Sequence, residues 1–261
     1  METKWPRISI VTPSLNQGDF IGTTIQSVLS QRYPNLEYLI VDGGSTDNTL
    51  SILESYNGQV RWISEKDKGQ TDAINKGLRL VSGEILAYLN ADDILLPGSL
   101  DGVADIFKIH PEMQWLTGRC KNIDDNDKAV RSAISLYKNI LLYSSSFRLL
   151  LVTNYISQPA TFWRNELVDI CGVFDTDLNY VMDYDYWLRI WNKVAAPYIH
   201  HQEIAGFRIQ RNSKTTSGGH LQDYIDEESL VIQRYTPSRI WCHLHDLHRI
   251  LMTNIYRFMN R

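Results

Sequence analysis

The first hundred residues alternate short apolar runs with stretches of helical spacing, and each apolar run ends in a polar cluster. Ile8 to Thr12 reads as a buried strand, broken by Pro13 and by Asn16-Gln17-Gly18. Phe20 to Gln31 then carries Phe20, Ile21, Ile25, Val28 and Leu29 at helical spacing. Leu36 to Val41 reads as a second strand, Thr49 to Tyr56 as a helix, and Val60 to Ser64 as a third strand. Thr71 to Val81 is a helix closed by Ser82-Gly83, and Ile85 to Leu89 is a fourth strand. Few folds accept this order. Strands that alternate with helices form parallel βαβ units, with helices on both faces of the sheet.

In such sheets ligands bind beyond the carboxyl ends of the strands. The polar clusters sit at those ends: Thr12-Pro13-Ser14, Asp42-Gly43-Gly44-Ser45, Glu65 to Gly69, and Asn90-Ala91-Asp92-Asp93. Four loops of carboxylates, glycines and hydroxyls therefore converge on one crevice, as expected of a ligand-binding α/β enzyme. Adjacent carboxylates after a buried strand suit a hard divalent cation, or else a solvated turn that caps the next helix. The glycines after Asp42 allow close approach of backbone to a ligand, or simply a tight turn. Asp183-Tyr184-Asp185 opens a helix over Asp183 to Asn192. Residues two apart cannot share a helix face, so one of these carboxylates is expected to do chemistry and the other to serve the fold.

The second half is less regular. Met113 to Arg131 suggests a hairpin turning at Asp124 to Asp127, and Gln158 to Arg164 and Ile204 to Gln210 suggest strands. Residues 222–235 and 238–260 read as helices separated by Pro237. In the last helix Ile240, Leu244, Leu247, Leu251, Ile255 and Phe258 form one apolar stripe, with Arg239, Arg249, Arg257 and Arg261 against a single acid, Asp246. Such a helix can lie on an anionic membrane surface, pack on its own domain or join a second subunit.

Composition narrows the function classes. The 261 residues carry a formal net charge of -4, which gives no basis for generic nucleic-acid binding. The three cysteines form no CxxC pair, so neither a disulfide framework nor a zinc site is expected. No apolar run is long enough to span a bilayer, and the first residues lack a secretory stretch. The expectation is a cytoplasmic protein, with peripheral attachment at the inner face of the cytoplasmic membrane open.

Taken in order, the motifs resemble the family 2 glycosyltransferases, which have the GT-A fold. The matching text is Ser9 to Asn16, Val41 to Thr49, Asp72 to Gly77, Gly83 to Asp93, Gln158 to Arg164, Gly172 to Asp175, Met182 to Arg189 and Phe207 to Thr215. The resemblance implies a mostly parallel, Rossmann-like central sheet flanked by helices. It further implies a catalytic domain over 1–217 and a C-terminal helical extension over 218–261. Within the domain, 1–100 would bind a nucleotide-sugar and 101–217 the acceptor.

Roles follow by position. Thr12 and Asp42 would hold base and ribose, Lys68 and Gln70 would flank base or phosphates, and Asn90 and Ala91 would line the donor. Asp92 would bind Mn²⁺ or Mg²⁺, and Asp183 would be the catalytic base. Arg211 and Lys214 would close over the diphosphate, while Trp163 and Asp185 would meet the acceptor. Three departures stand out: Asn90 replaces an Asp, Met182 a Glu, and Gln210 a His that many relatives carry.

The implied activity is metal-dependent inverting transfer from a nucleotide-sugar, UDP-linked by preference. The acceptor would be a saccharide or lipid-linked saccharide, in surface polysaccharide biosynthesis. A homo-oligomer is open. A nucleotidyltransferase would need cations in the Gly-rich loop after the first strand, and Pro13 to Gly18 has none. A non-catalytic scaffold of the same fold would be expected to lose Asp92 or Asp183, and both are present.

Overall fold

The computed structural model describes residues 5–210 and 221–259. The first part runs β1 (Ile8–Ser14), α1 (Ile21–Leu29), β2 (Leu36–Asp42), α2 (Thr49–Ser55), β3 (Arg61–Ser64), α3 (Gln70–Leu80), β4 (Ile85–Tyr88), β5 (Ile94–Leu95) and α4 (Ser99–Ile109). The second runs β6 (Trp115–Ile123), α5 (Ser132–Ser144), α6 (Phe147–Leu150), a 3-10 turn (Gln158–Ala160), β7 (Thr161–Arg164), α7 (Glu166–Cys171), α8 (Met182–Lys193) and β8 (Tyr198–Arg208). Two helices, α9 (Leu221–Tyr235) and α10 (Arg239–Met259), complete it.

The eight strands form one mixed sheet in the order β3-β2-β1-β4-β7-β6-β8-β5. The neighbours β3-β2, β2-β1, β1-β4 and β6-β8 pair in parallel, while β7 pairs antiparallel with both β4 and β6. Only β5 and β7 therefore run against the rest, and the carboxyl ends of β1, β2, β3, β4, β6 and β8 share one edge. Successive strand residues alternate between two cores, as the period of two requires. Ile10, Ile40, Ile85, Ala87, Leu116 and Phe162 face α1 and α4. Val11, Leu39, Val41, Leu86, Tyr88, Trp115 and Trp163 face α3, α8 and α9. Burial on both faces accounts for the unbroken apolar runs of the central strands.

Two expectations are corrected. The hairpin over 113–131 is a single strand, β6, whose return arm is reduced to one bridge between Ile123 and Ala129. The returning chain pairs only at the end of β6, beyond the Trp115–Thr117 stretch held by β7, and then enters α5 at Ser132. The strand read over Gln158 to Arg164 starts as a 3-10 turn because Pro159 carries no N–H to give a ladder.

The last helix is turned differently from an ordinary amphipathic helix. Its apolar stripe faces outward, with Ile240 68% and Leu247 64% exposed. Its inward side carries polar groups: His245 is buried 3.2 Å from Glu228 of α9, His248 meets the Tyr137 hydroxyl at 2.7 Å, and Arg249 pairs with Asp246 at 2.7 Å. Arg249 is thus spent inside the fold and does not rim the outer apolar face.

Close approach of α3 to β1 sets the edge where the loops gather. Gly77 makes this possible, because a Cβ there would lie 2.3 Å from Val11 Cγ1, on a stiff and fully buried side chain. Gly77→Ala is expected to cost about 1–3 kcal/mol through overpacking. Thermal unfolding should fall by roughly 2–4 °C per kcal/mol lost. An unchanged midpoint in a calorimetric scan would refute the packing argument.

Candidate active site

The shared edge collects side chains from several elements. At the end of β4, Asn90 is a junction: its Oδ1 accepts from Gln70 Nε2 at 2.7 Å, and its Nδ2 donates to Asp93 Oδ2 at 3.2 Å and Gln158 Oε1 at 3.3 Å. Gln158 is fixed in turn by donating to the Tyr88 carbonyl at 2.6 Å. Gln70 and Asn90, both expected at the donor site, are therefore in contact. Asp92 receives a hydrogen bond from Gln210 Nε2 on its Oδ2 at 2.6 Å. Burial pushes the Asp92 carboxyl above the ordinary carboxylate range, against the lowering effect of that hydrogen bond.

The neighbouring Asp93 points the other way. It is fully buried and accepts from the Arg208 backbone N–H at 2.8 Å. Burial, reinforced by the charge of Asp92, raises its carboxyl well above the usual range. The Arg208 side chain, 2% exposed, donates from Nε to the Asp92 carbonyl at 2.7 Å and from its outer nitrogens to Asp124 and Asp127. Of the two adjacent carboxylates, one ties β4 to β8 and the other remains at the cleft.

Thr12 and Asp42, expected to hold base and ribose, are both fully buried. The Thr12 hydroxyl is buried against the Tyr38 hydroxyl at 3.1 Å. Asp42 is fully buried and accepts from the Gly44 and Ser45 N–H groups at 3.0 and 2.9 Å and from the Ser64 hydroxyl at 2.7 Å. In this structure Asp42 organises its own loop, where Gly44 takes a φ of 87°. Ala91 is buried, and its carbonyl accepts from the Thr24 hydroxyl at 2.8 Å. Lys68 is exposed on the loop before α3, its backbone N–H held by Asp72 at 3.0 Å. Arg211 and Lys214 lie outside the described residues.

Asp183 and Asp185, in the first turn of α8, separate as helix geometry demands. Asp183 accepts from the Tyr184 N–H at 2.7 Å, and the Asn154 side chain also hydrogen-bonds it. Burial raises its carboxyl to about 6, against the lowering effects of those hydrogen bonds and of the Lys138 charge. The Tyr88 phenol is raised by burial and by both Asp183 and Asp93, which places it in the field of the two carboxylates. Asp185, expected at the acceptor, is 1% exposed and turned toward α9. There it pairs with Arg189 and accepts from Tyr235 OH at 3.0 Å and Arg234 at 3.3 Å. Trp163, also expected at the acceptor, is fully buried with ring centroids 5.7 Å from Trp187 and 5.8 Å from Tyr186. Strand alternation sends its side chain into the core, so it offers no face to a sugar.

Four site residues escaped the sequence reading: Tyr88, Lys138, Asn154 and Arg208. Period-two alternation on β8 would have put Arg208 on one face with Ile204 and Gly206, a sign of a buried arginine needing carbonyl partners. Lys138 sits on α5 and Asn154 in the loop after α6, and the local pattern of neither carries a site signature.

Residues 9–167, more than half of the chain, match the model of glycosyl transferase family 2. An uncharacterized glycosyltransferase of Rickettsia prowazekii (strain Madrid E) is 26% identical over 235 residues, covering 88% of this chain and 73% of that protein. Two longer relatives are spanned over only 35% and 36% of their length. Among solved structures, the mannosyltransferase PcManGT from Pyrobaculum calidifontis, in complex with GDP-Man and Mn²⁺, superposes with a TM-score of 0.71 at 18% identity, over 94% of this chain and 70% of that one. S. aureus TarS 1-349 in complex with UDP-GlcNAc gives 0.67 at 18% identity, over 86% and 65%. With its sheet order, its polar edge and these matches, the chain belongs to glycosyl transferase family 2 and is a glycosyltransferase of the GT-A fold.

Proposed function

We propose that the chain moves a sugar from a nucleotide-sugar, UDP-linked by preference, to a hydroxyl of a saccharide or lipid-linked saccharide acceptor. The transfer inverts the anomeric centre and serves surface polysaccharide assembly. The observation that supports this reading is a pair of carboxyl groups kept above the ordinary carboxylate range by burial: Asp92, after β4 with Gln210 on its Oδ2, and Asp183, in the first turn of α8. The nucleotide-sugars held by TarS and PcManGT support a donor of this class.

The donor set at Asp92 fits a divalent cation that arrives with a diphosphate. Among the described residues no group of three or more His, Cys, Asp or Glu could cage a metal. Magnesium and manganese commonly need only one or two carboxylates when substrate phosphates complete the shell. Asp92 supplies one, with the amide of Gln210 beside it. A cation there would neutralise charge on the departing diphosphate. Asp183 does the protein's own chemistry: its carboxylate accepts the proton of the acceptor hydroxyl as that oxygen attacks the anomeric carbon. Tyr184 N–H and Asn154 hold the carboxylate in place. Burial keeps its basicity near neutrality, where a general base works best.

Release of UDP or GDP from a panel of nucleotide-sugars with Mn²⁺ and saccharide acceptors tests the reading. No turnover and no thermal stabilisation by any donor would end it.

Two variants separate binding from chemistry. In Asp92→Ala the Arg208 contact survives, since Arg208 uses the main-chain carbonyl, so the fold should persist. The donor with Mn²⁺ at 100 times its Kd should stabilise the wild type by about 2.7 kcal/mol and the variant far less. Equal thermal shifts would remove Asp92 from the metal site. Asp183→Asn should bind donor normally yet lose about 10²–10⁴-fold in transfer.

The pH profile supplies the third expectation. A base works when ionised, so wild-type transfer should fall as pH drops through about 6 and level off above it. An acid limb that persists unchanged in the residual activity of Asp183→Asn would assign it to another group.

A further inference from the structure

On the sheet face that carries α5, a groove of about 180 Å³ opens between the end of β6, the following loop and the first turns of α5. Its lining includes Arg119, Lys121, Ser135, Asn139 and Glu203. The Asn139 amide lines the groove and makes no hydrogen bond among the described residues. The Nε of Arg119 is buried and unpartnered, a cost that a ligand would recover, although its outer nitrogen reaches Glu203 at 2.9 Å. Lys121 forms no ion pair among the described residues. The Ser135 hydroxyl accepts from the Asn122 N–H at 3.2 Å and keeps its own proton to donate. Ala129, Val130 and Leu136 add an apolar side.

Two cations against one carboxylate leave the groove net positive. Convergent donors next to apolar carbon are the chemistry of a pyranose ring bearing an anionic group. The groove also shares α5 with Lys138, whose charge acts on Asp183. We propose that this groove is an acceptor subsite for an anionic sugar residue, with a carboxylate or a phosphate set between Lys121 and Arg119 and a ring hydroxyl on Asn139. This rests on the transferase reading above for its place in the reaction, while the binding itself does not depend on it.

Glucuronate, glucose 6-phosphate and glucose are titrated into the full chain by ligand-observed NMR, with and without saturating UDP and Mn²⁺. The expected result is saturable binding of at least one anionic sugar, about tenfold or more tighter than glucose, that persists with UDP present. The preferred anion distinguishes a uronate acceptor from a phosphorylated one. Lys121→Ala and Asn139→Leu, checked for an unchanged circular dichroism spectrum, should each weaken that binding at least tenfold and leave UDP binding as it was. Anions bound no better than glucose, binding displaced by UDP, or binding insensitive to Lys121→Ala would each overturn the subsite. Absence of UDP binding with Mn²⁺ would count against the transferase reading instead.

Discussion

The site depends on a buried tie between Asp93 and Arg208. A fully buried carboxylate is costly unless its acceptors are filled, and here the Arg208 N–H and the Asn90 amide fill them. The Arg208 guanidinium then spreads over the Asp92 carbonyl and the Asp124–Asp127 turn, with its Cζ 5.0 Å from the centroid of the Phe20 ring. One residue pair thus joins β4, β8, the turn after β6 and the loop before α1. The position of Asp92 follows from it, because Asp92 is flanked by the anchored Asp93 and by its own immobilised carbonyl. Gln210, two residues past Arg208, is delivered to Asp92 by the same tie.

Much of the fold was legible because the parallel half obeys local rules. The runs Ile8 to Thr12, Leu36 to Val41 and Ile85 to Leu89 are apolar on both faces and bounded by turn residues, which leaves few alternatives. The crevice at their carboxyl ends follows from topology alone. The second half was harder because its strands depend on distant partners. The segment after Asp124 looks like a returning arm, yet the ladders of β6 are formed by β7, on Trp115–Thr117, and by β8, both distant in sequence. No local pattern encodes that pairing.

The site was legible in part, for the same reason. The strand order points Asn90 and Asp92, after β4, and Gln70, at the start of α3, to one edge, and in the structure Gln70 meets Asn90. Side-chain direction was not legible. Asp42 belongs to a motif expected to face ligand, but its carboxylate turns inward onto Gly44, Ser45 and Ser64. Trp163 and Asp185 lie within a few residues of cleft positions and point into the core and toward α9. A reading that knows the strand but not its phase cannot separate Trp163 from its neighbours. The helix argument did better: residues two apart were bound to diverge, and Asp183 and Asp185 do.

That divergence has a mechanical consequence. Asp185 is clamped by Arg189 within α8 and by Arg234 and Tyr235 of α9, and Arg234 also grips Asp175 at 2.7 Å. The clamp acts as a stop against rotation of α8 about its own axis. Because Asp183 lies one half-turn earlier on the same rod, its bearing toward the cleft is referenced to α9, an element that lies beyond the family-matched segment. Helix α9 is in this sense part of what orients α8 and, through it, the Asp183 carboxylate.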